Sequence, residues 1–229
     1  MTRCAVVTYR WKSAIPALSI RKGSGCVSEI LSHLPATDLV PSGRHGRQDG
    51  PAGVVAYGVE RLALATLTAR KGAAPQVIAA AASVFGIALE DGPKVSLAPE
   101  AAFMGTSPGR WLVSSGEGAE GLEARLRDAF AGLAAVTDQS DANLVLDLYG
   151  PQVGAVLAKL VPLDLHPSAF TTGDVAATLV ALIPLTFWQL NDSPAYRFAV
   201  PRSFAPAFLR ALVSAGAEFG IEISGTGRG

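Results

Sequence analysis

Asn143-Leu144-Val145-Leu146-Asp147-Leu148-Tyr149-Gly150-Pro151-Gln152-Val153 reads as an alternating strand that breaks at Gly-Pro and enters a helix. Val153, Val156, Leu157 and Leu160 carry the pattern on at helical spacing. The same order stands earlier in the chain, where Leu64-Ala65-Thr66-Leu67 is followed by Pro75-Gln76-Val77 entering a helix. Trp111-Leu112-Val113 before a helix is matched by Phe198-Ala199-Val200 before a helix. Each half therefore runs strand, helix, strands, strand, helix, strand, a split βαβ arrangement. The shared Pro-Gln-Val is short, so the element order carries the inference. The fold class is α+β: two pseudo-repeated split βαβ halves with ferredoxin-like elements, their sheets antiparallel-rich and their helices packed on one face.

Working outward, Pro75 suits a helix's first turn, Val77, Ile78, Ala81, Ala82 and Phe85 recur at its spacing, and Gly86 closes it. A second helix is predicted from about residue 119 to 131, with Leu122, Leu126 and Phe130 inward and Glu123 set to pair with Arg127. Val175–Leu182 and Thr186–Leu190 read as strands around Pro184, and Tyr196–Val200 as another. Ser203 is placed to cap a last helix that buries Phe204, Phe208, Leu209, Leu212 and Val213. Residues 1–55 are rich in Gly, Ser, Arg and Pro, and the run Pro41–Pro51 reads as loop throughout. The predicted organisation is an irregular N-terminal arm (1–55), a first half (56–137), a second half (138–220) and a flexible tail (221–229).

The chain has 229 residues, 19 basic and 19 acidic, so the formal net charge is zero. Only 17% of residues are charged and 49% are hydrophobic. A chain this apolar can bury enough surface to offset ordering entropy, which excludes a disordered protein. Zero net charge argues against nucleic-acid binding, which needs a positive field to hold phosphates. The most apolar stretch, Val175–Trp188, is too short for a bilayer span and is interrupted by Pro184. No apolar run follows Arg3, Arg10 and Lys12, so a secretory signal is not expected and the address is cytoplasmic. A soluble monomer usually carries about 25% charged residues. The deficit here predicts that part of the surface meets a partner.

The chemistry-bearing residues are sparse. Cys4 and Cys26 read as free thiols. His33, His45 and His166 form no metal-ligand spacing, and no nucleophile elbow is present. Asp138, Asp141, Asp147, Asp164 and Asp174 supply carboxylates without an evident apolar pocket to shift them apart. Gly116-Glu117-Gly118-Ala119-Glu120-Gly121 is a literal G-x-G-x-x-G between a strand and a helix. Glu117 and Glu120 would repel a pyrophosphate, and Arg125 stands where close helix–strand packing needs a small residue. No catalytic, cofactor-binding or metal-binding residue is therefore assigned. Trp188, Phe187, Arg202 and His166 are the candidates for a partner interface, Trp being enriched at binding hot spots.

Asp138-Gln139-Ser140-Asp141-Ala142, Leu148-Tyr149-Gly150-Pro151, Val156-Leu157-Ala158-Lys159-Leu160 and Pro162-Leu163-Asp164-Leu165-His166-Pro167 resemble the gamma subunit of heterotetrameric sarcosine oxidase. So do Phe187-Trp188, Tyr196-Arg197-Phe198 and Pro201-Arg202-Ser203-Phe204, with Gly109-Arg110-Trp111-Leu112-Val113 the anchor in the first half. The resemblance implies a non-catalytic subunit that assembles with alpha, beta and delta subunits. It implies a complex that oxidatively demethylates sarcosine to glycine, makes hydrogen peroxide, and passes the one-carbon unit to tetrahydrofolate or releases formaldehyde. FAD, FMN and NAD are then expected on alpha and beta, and zinc on delta. The implied fold is similar to the folate-binding domain of glycine-cleavage aminomethyltransferases. Two alternatives stay open: a stand-alone folate-binding, aminomethyltransferase-like protein with Asp138 or Asp141 holding the pterin, or the gamma subunit of a related N-methylglutamate dehydrogenase.

Overall fold

The structure is a computed structural model and describes residues 42–116 and 121–224. Cys4, Cys26, His33 and Glu117–Glu120 lie outside the described residues. Two sheets carry the fold. The first has five strands in the order β4-β5-β6-β3-β7, namely β3 (Ala63–Ala69), β4 (Val95–Leu97), β5 (Ala102–Ser107), β6 (Arg110–Ser115) and β7 (Ala134–Asp138). The second has seven in the order β1-β12-β2-β8-β11-β10-β9. Its strands are β1 (Gly43–His45), β2 (Val54–Gly58), β8 (Asn143–Tyr149), β9 (Val175–Val180), β10 (Ile183–Asn191), β11 (Ala195–Pro201) and β12 (Ile221–Ser224).

Helix α1 (Ala74–Phe85) follows β3, and α2 (Leu122–Ala129) follows β6. In the second half α3 (Val153–Leu157) follows β8, and α4 (Ala205–Gly216) follows β11. The chain order β3-α1-β4-β5-β6-α2-β7 is thus repeated as β8-α3-β9-β10-β11-α4-β12. The α+β fold expected from the repeat is the one observed. In the first sheet β7 pairs directly with β3. In the second, β2 is inserted between β12 and β8, parallel to the former and antiparallel to the latter.

That insertion redraws the expected boundaries. Val54–Gly58 belongs to the second sheet, although it precedes the first half in sequence. Gly43–His45, read as loop, is an edge strand antiparallel to β12. Residues 221–224, read as tail, are strand. Gly-Arg-His has no alternation and no β-branched residue, so local pattern could not announce β1; pairing with β12 makes it. Arg44 then ties the following loop, its guanidinium donating to the carbonyls of Arg47 (2.9 Å) and Pro51 (3.1 Å).

Local chemistry explains the helices. Gly86 stops α1 in the left-handed conformation at φ 68° and donates its N–H to Ala82 O at 3.1 Å. Helix α3 spans only five residues. Its entry needs glycine at position 150: φ is 125°, and a Cβ there would lie 2.6 Å from Gly53 O. Ser203 does not cap α4. A 3-10 turn, Arg202–Phe204, intervenes, and α4 begins at Ala205 with Pro206 in its first turn.

Each sheet buries one face under its helices. Beneath α1 and α2, Phe85 meets Phe103 edge-on at 5.3 Å and stacks on Phe130 at 5.9 Å. Beneath α3 and α4, Phe187 stacks on Phe198 at 4.9 Å, and Phe198 meets Phe208 at 5.6 Å. The opposite faces of the two sheets pack on each other. Leu64, Met104 and Leu112 of the first sheet form one buried cluster with Val145, Val175, Trp188 and Ala199 of the second. The layers are helix, sheet, sheet, helix.

Trp188 is 4% exposed at the centre of the inter-sheet cluster. Trp188→Ala should lower unfolding free energy by about 3–5 kcal/mol, read as a reduced urea midpoint at unchanged slope. Ala181 and Leu182 form the β9–β10 turn at φ 50° and 67°, a region that disfavours side chains, and Leu182 is 89% exposed. Leu182→Gly should therefore raise the unfolding free energy by about 0.5–1 kcal/mol, read as a higher urea midpoint.

Candidate functional site

The inner faces of the two sheets do not match along their whole length. On β10 the inward positions run Pro184, Thr186, Trp188. Trp188 fills the space between the sheets, and Thr186 does not. Thr186 lies in register with Ala177 on β9 and Ala199 on β11, so three small side chains stand in one row. Opposite them, on the first sheet, Thr66 pairs with Leu112 and Thr68 with Arg110. The shortfall in side-chain volume leaves a cleft of about 720 Å³ between the sheets.

The cleft is mixed in chemistry. Leu112, Leu179, Pro184 and Ala199 make apolar walls, while Thr66, Thr106, Ser107 and Thr186 bring hydroxyl groups. Gln139 and Asn143 line it with amides. Arg110 is the one charged residue in its lining. Its Nε donates weakly to Thr68 Oγ1 at 3.4 Å, and Thr106 Oγ1 donates to Arg110 O at 3.2 Å. Among the described residues Arg110 has no salt-bridge partner. Asp91 accepts from the N–H of the preceding Gly109 and does not line the cleft.

The residues singled out from sequence are spread over several structural tasks. Phe187 is 0% exposed in the aromatic stack and Trp188 is buried between the sheets, so neither forms part of the free surface. Hydrophobic type alone could not distinguish a core aromatic from an interface aromatic. Arg202 sits beside the cleft-lining Pro201. Its Nε donates to Asp141 O at 2.7 Å and its N–H to Ala142 O at 2.8 Å, joining the end of β11 to the β7–β8 turn. His166 stands apart, exposed in the α3–β9 loop. Its Nδ1 lies 2.7 Å from Ser168 Oγ and accepts the Ser168 N–H, which places the proton of the neutral ring on Nε2. Asp164 accepts the His166 N–H at 2.9 Å.

The carboxylates are likewise engaged. Asp138 accepts from Ser140 N–H (2.9 Å) and Ser140 Oγ (2.7 Å), and these bonds hold its carboxyl below the usual range. Asp147 receives a bidentate pair from Arg197, Nε at 2.6 Å and Nη2 at 2.7 Å, with both side chains about four-fifths buried (23% and 19% exposed). Asp174 is pushed up by burial. The Lys94 ammonium and the Thr171 N–H and hydroxyl outweigh that and hold it below its ordinary value. Lys94 and Asp174 also form a β-bridge between the leading ends of β4 and β9, fastening the two sheets at their edges. Among the described residues, no three His, Cys, Asp or Glu side chains gather as a metal site.

Of the glycine motif only Gly116 and Gly121 are among the described residues. Strands β6 and β7 flank β3, which is antiparallel to both. A dinucleotide fingerprint needs neighbouring parallel strands. Arg125 lies 5.3 Å over the Phe85 ring at the end of α1 and pairs at 2.6 Å with Glu100 in the β4–β5 turn, tying α2 to both. Glu123 and Arg127 form the expected i,i+4 pair at 2.6 Å.

The model of the sarcosine oxidase gamma subunit family matches residues 70–218. Sarcosine oxidase subunit gamma of an Arthrobacter sp is 34% identical over 181 residues, 77% of this chain and 85% of that protein. The subunit of the same name from Corynebacterium sp. (strain P-1) is 37% identical over 117 residues, 50% of this chain and 56% of that one. Among solved structures, a chain of the heterotetrameric sarcosine oxidase from Corynebacterium sp. U-96, in complex with pyrrole 2-carboxylate, superposes with a TM-score of 0.66 at 26% identity. That match covers 76% of this chain and 88% of that one. Glycine cleavage system aminomethyltransferase T from Bartonella henselae shares the fold, with a TM-score of 0.54 at 16% identity over 76% of this chain and 48% of that one.

The inter-sheet fastening has a pH signature. The carboxyls of Asp174 and Asp138 are lower in the folded chain than in the unfolded one. Their stabilisation is present above the ordinary carboxylate value and is lost as pH falls through the folded value. The urea midpoint should therefore fall between about pH 5 and pH 3. Asp174→Asn should reduce that fall. Because Lys94 is 46% exposed and screened by water, the cost at neutral pH should be only about 1 kcal/mol.

Proposed function

The chain belongs to the sarcosine oxidase gamma subunit family, and on that premise we propose that it is the accessory subunit of a heterotetrameric oxidase, holding the complex together without supplying catalytic groups. The observation that carries this reading is the family match, which spans both halves of the repeat from residue 70 to 218. It is supported by the likeness to a chain of a heterotetrameric sarcosine oxidase. Partners in this reading are alpha, beta and delta subunits. FAD, FMN and NAD belong to alpha and beta, and zinc to delta. The assembled complex oxidises sarcosine to glycine with oxygen and passes the one-carbon unit to tetrahydrofolate or releases formaldehyde. No helix among the described residues is long and apolar enough to cross a membrane, and we place the complex in the cytoplasm.

The engagement of the ionisable residues supports a structural task. Asp138 is committed to Ser140, Asp147 to Arg197, Asp174 to Lys94 and Thr171, and His166 to Ser168. A folate-handling enzyme would instead need one such carboxylate turned toward a bound pterin. The surface supplies what a docking subunit uses. Leu97, Leu182 and Phe204 are large apolar side chains left in water. Arg202 and His166 remain in this proposal as polar contacts at the rim of a partner interface, beside or apart from Phe204.

Co-expression tests the reading. Produced with alpha, beta and delta subunits, the chain should co-purify in a fixed ratio with a flavin-coloured, sarcosine-oxidising complex. Produced alone, it should be colourless and inactive. A chain that stays a soluble monomer in the presence of all three partners would overturn the assignment.

A further inference from the structure

We propose that the inter-sheet cleft is a binding site for a small amphipathic carboxylate. The inference goes beyond the accessory role and does not depend on it. It rests on the shape and lining of one cavity.

The cavity has the volume of a ligand site. About 720 Å³ lies within the roughly 300–1,000 Å³ range of small-molecule pockets. It arises because Ala177, Thr186 and Ala199 form a row of small side chains across β9, β10 and β11. Larger residues in that row would close the sheets as Trp188 does one step along β10. The gap opens to solvent at the end of the inter-sheet contact, with Arg110, Ala177, Leu179 and Pro184 exposed along it.

The lining selects the ligand's chemistry. Arg110 is exposed at the cleft and its guanidinium is spent only on a weak bond to Thr68 Oγ1. The cleft has no carboxylate in its lining to neutralise it. A planar fork of donors in that position matches a carboxylate in two parallel hydrogen bonds. Thr66 and Thr186, from facing sheets, add hydroxyl donors. Leu112, Pro184 and Ala199 offer an apolar surface to the rest of the molecule. A bare inorganic anion would leave those walls unused. An uncharged apolar compound would leave Arg110 uncompensated and cover the hydroxyl groups.

Benzoate, benzamide and inorganic phosphate are the probes, titrated into the full chain by calorimetry and by amide NMR shifts. Benzoate should bind saturably and shift the amides of Thr66, Leu112 and Thr186. Benzamide and phosphate should each bind at least about tenfold more weakly. Arg110→Gln should weaken benzoate about tenfold without moving the thermal midpoint, because Arg110 lies at the surface. Arg110→Lys, which keeps the charge and loses the fork, should retain part of the affinity. Benzamide or phosphate equal to benzoate, shifts away from the cleft, or an unchanged affinity in Arg110→Gln would each overturn the proposal. If Arg110→Gln fails to fold, Arg110→Lys and the benzamide comparison decide it alone.

Discussion

Each sheet of this protein has two faces and only one set of helices. The four helices among the described residues cover the outer faces, and the inner faces must be buried against each other. Leu64, Met104 and Leu112 on one side and Val145, Val175, Trp188 and Ala199 on the other do this. The rest of the molecule is arranged around that contact. The pseudo-repeat supplies two sheets, of five and seven strands, and each presents a face that its helices do not cover. The edges are then fastened where β4 meets β9, through Lys94 and Asp174 and through the backbone bonds from Val95 to Gly173 and from Val175 to Pro93.

The inner faces also carry what the cores could not accept. Asp147 and Arg197 are cross-strand partners on β8 and β11, and both point away from the helices. Buried singly, either would be costly; together they form a bidentate pair at the inner side of the second sheet. Farther along the same strands the residues become small, and the sheets separate into the cleft. One contact surface thus grades from tight apolar packing at Trp188 to an open polar gap at Arg110.

Much of the architecture was legible in the residues. The Gly-Pro break at Gly150-Pro151, the apolar spacing from Val77 to Phe85 and the Glu123–Arg127 pair are local signals with local causes, and each stands where it was read. The order of elements in the two halves gave the α+β class. Strands β1, β2 and β12 were another matter. Gly43-Arg44-His45 has no strand character of its own. Val54–Gly58 sits ahead of the first half in sequence and joins the second half's sheet. A long-range pairing of this kind leaves no periodic trace, because its partner strands, β8 and β12, lie roughly 90 and 170 residues farther along the chain.

The candidate site was less legible still. Arg110, Thr66 and Thr186 belong to three different strands in two sheets, and no spacing in the sequence connects them. Phe187 and Trp188 were conspicuous, yet adjacent strand residues point to opposite faces, so one enters the helix-side core and the other the inter-sheet core. What the sequence determined by itself was the elements, their repetition and the family motifs, since these rest on local sterics and on order along the chain. Only the tertiary structure decided which faces meet, which aromatics are hidden and where a cleft is left. Those outcomes depend on how side-chain volumes on separate strands add up across the gap between two sheets.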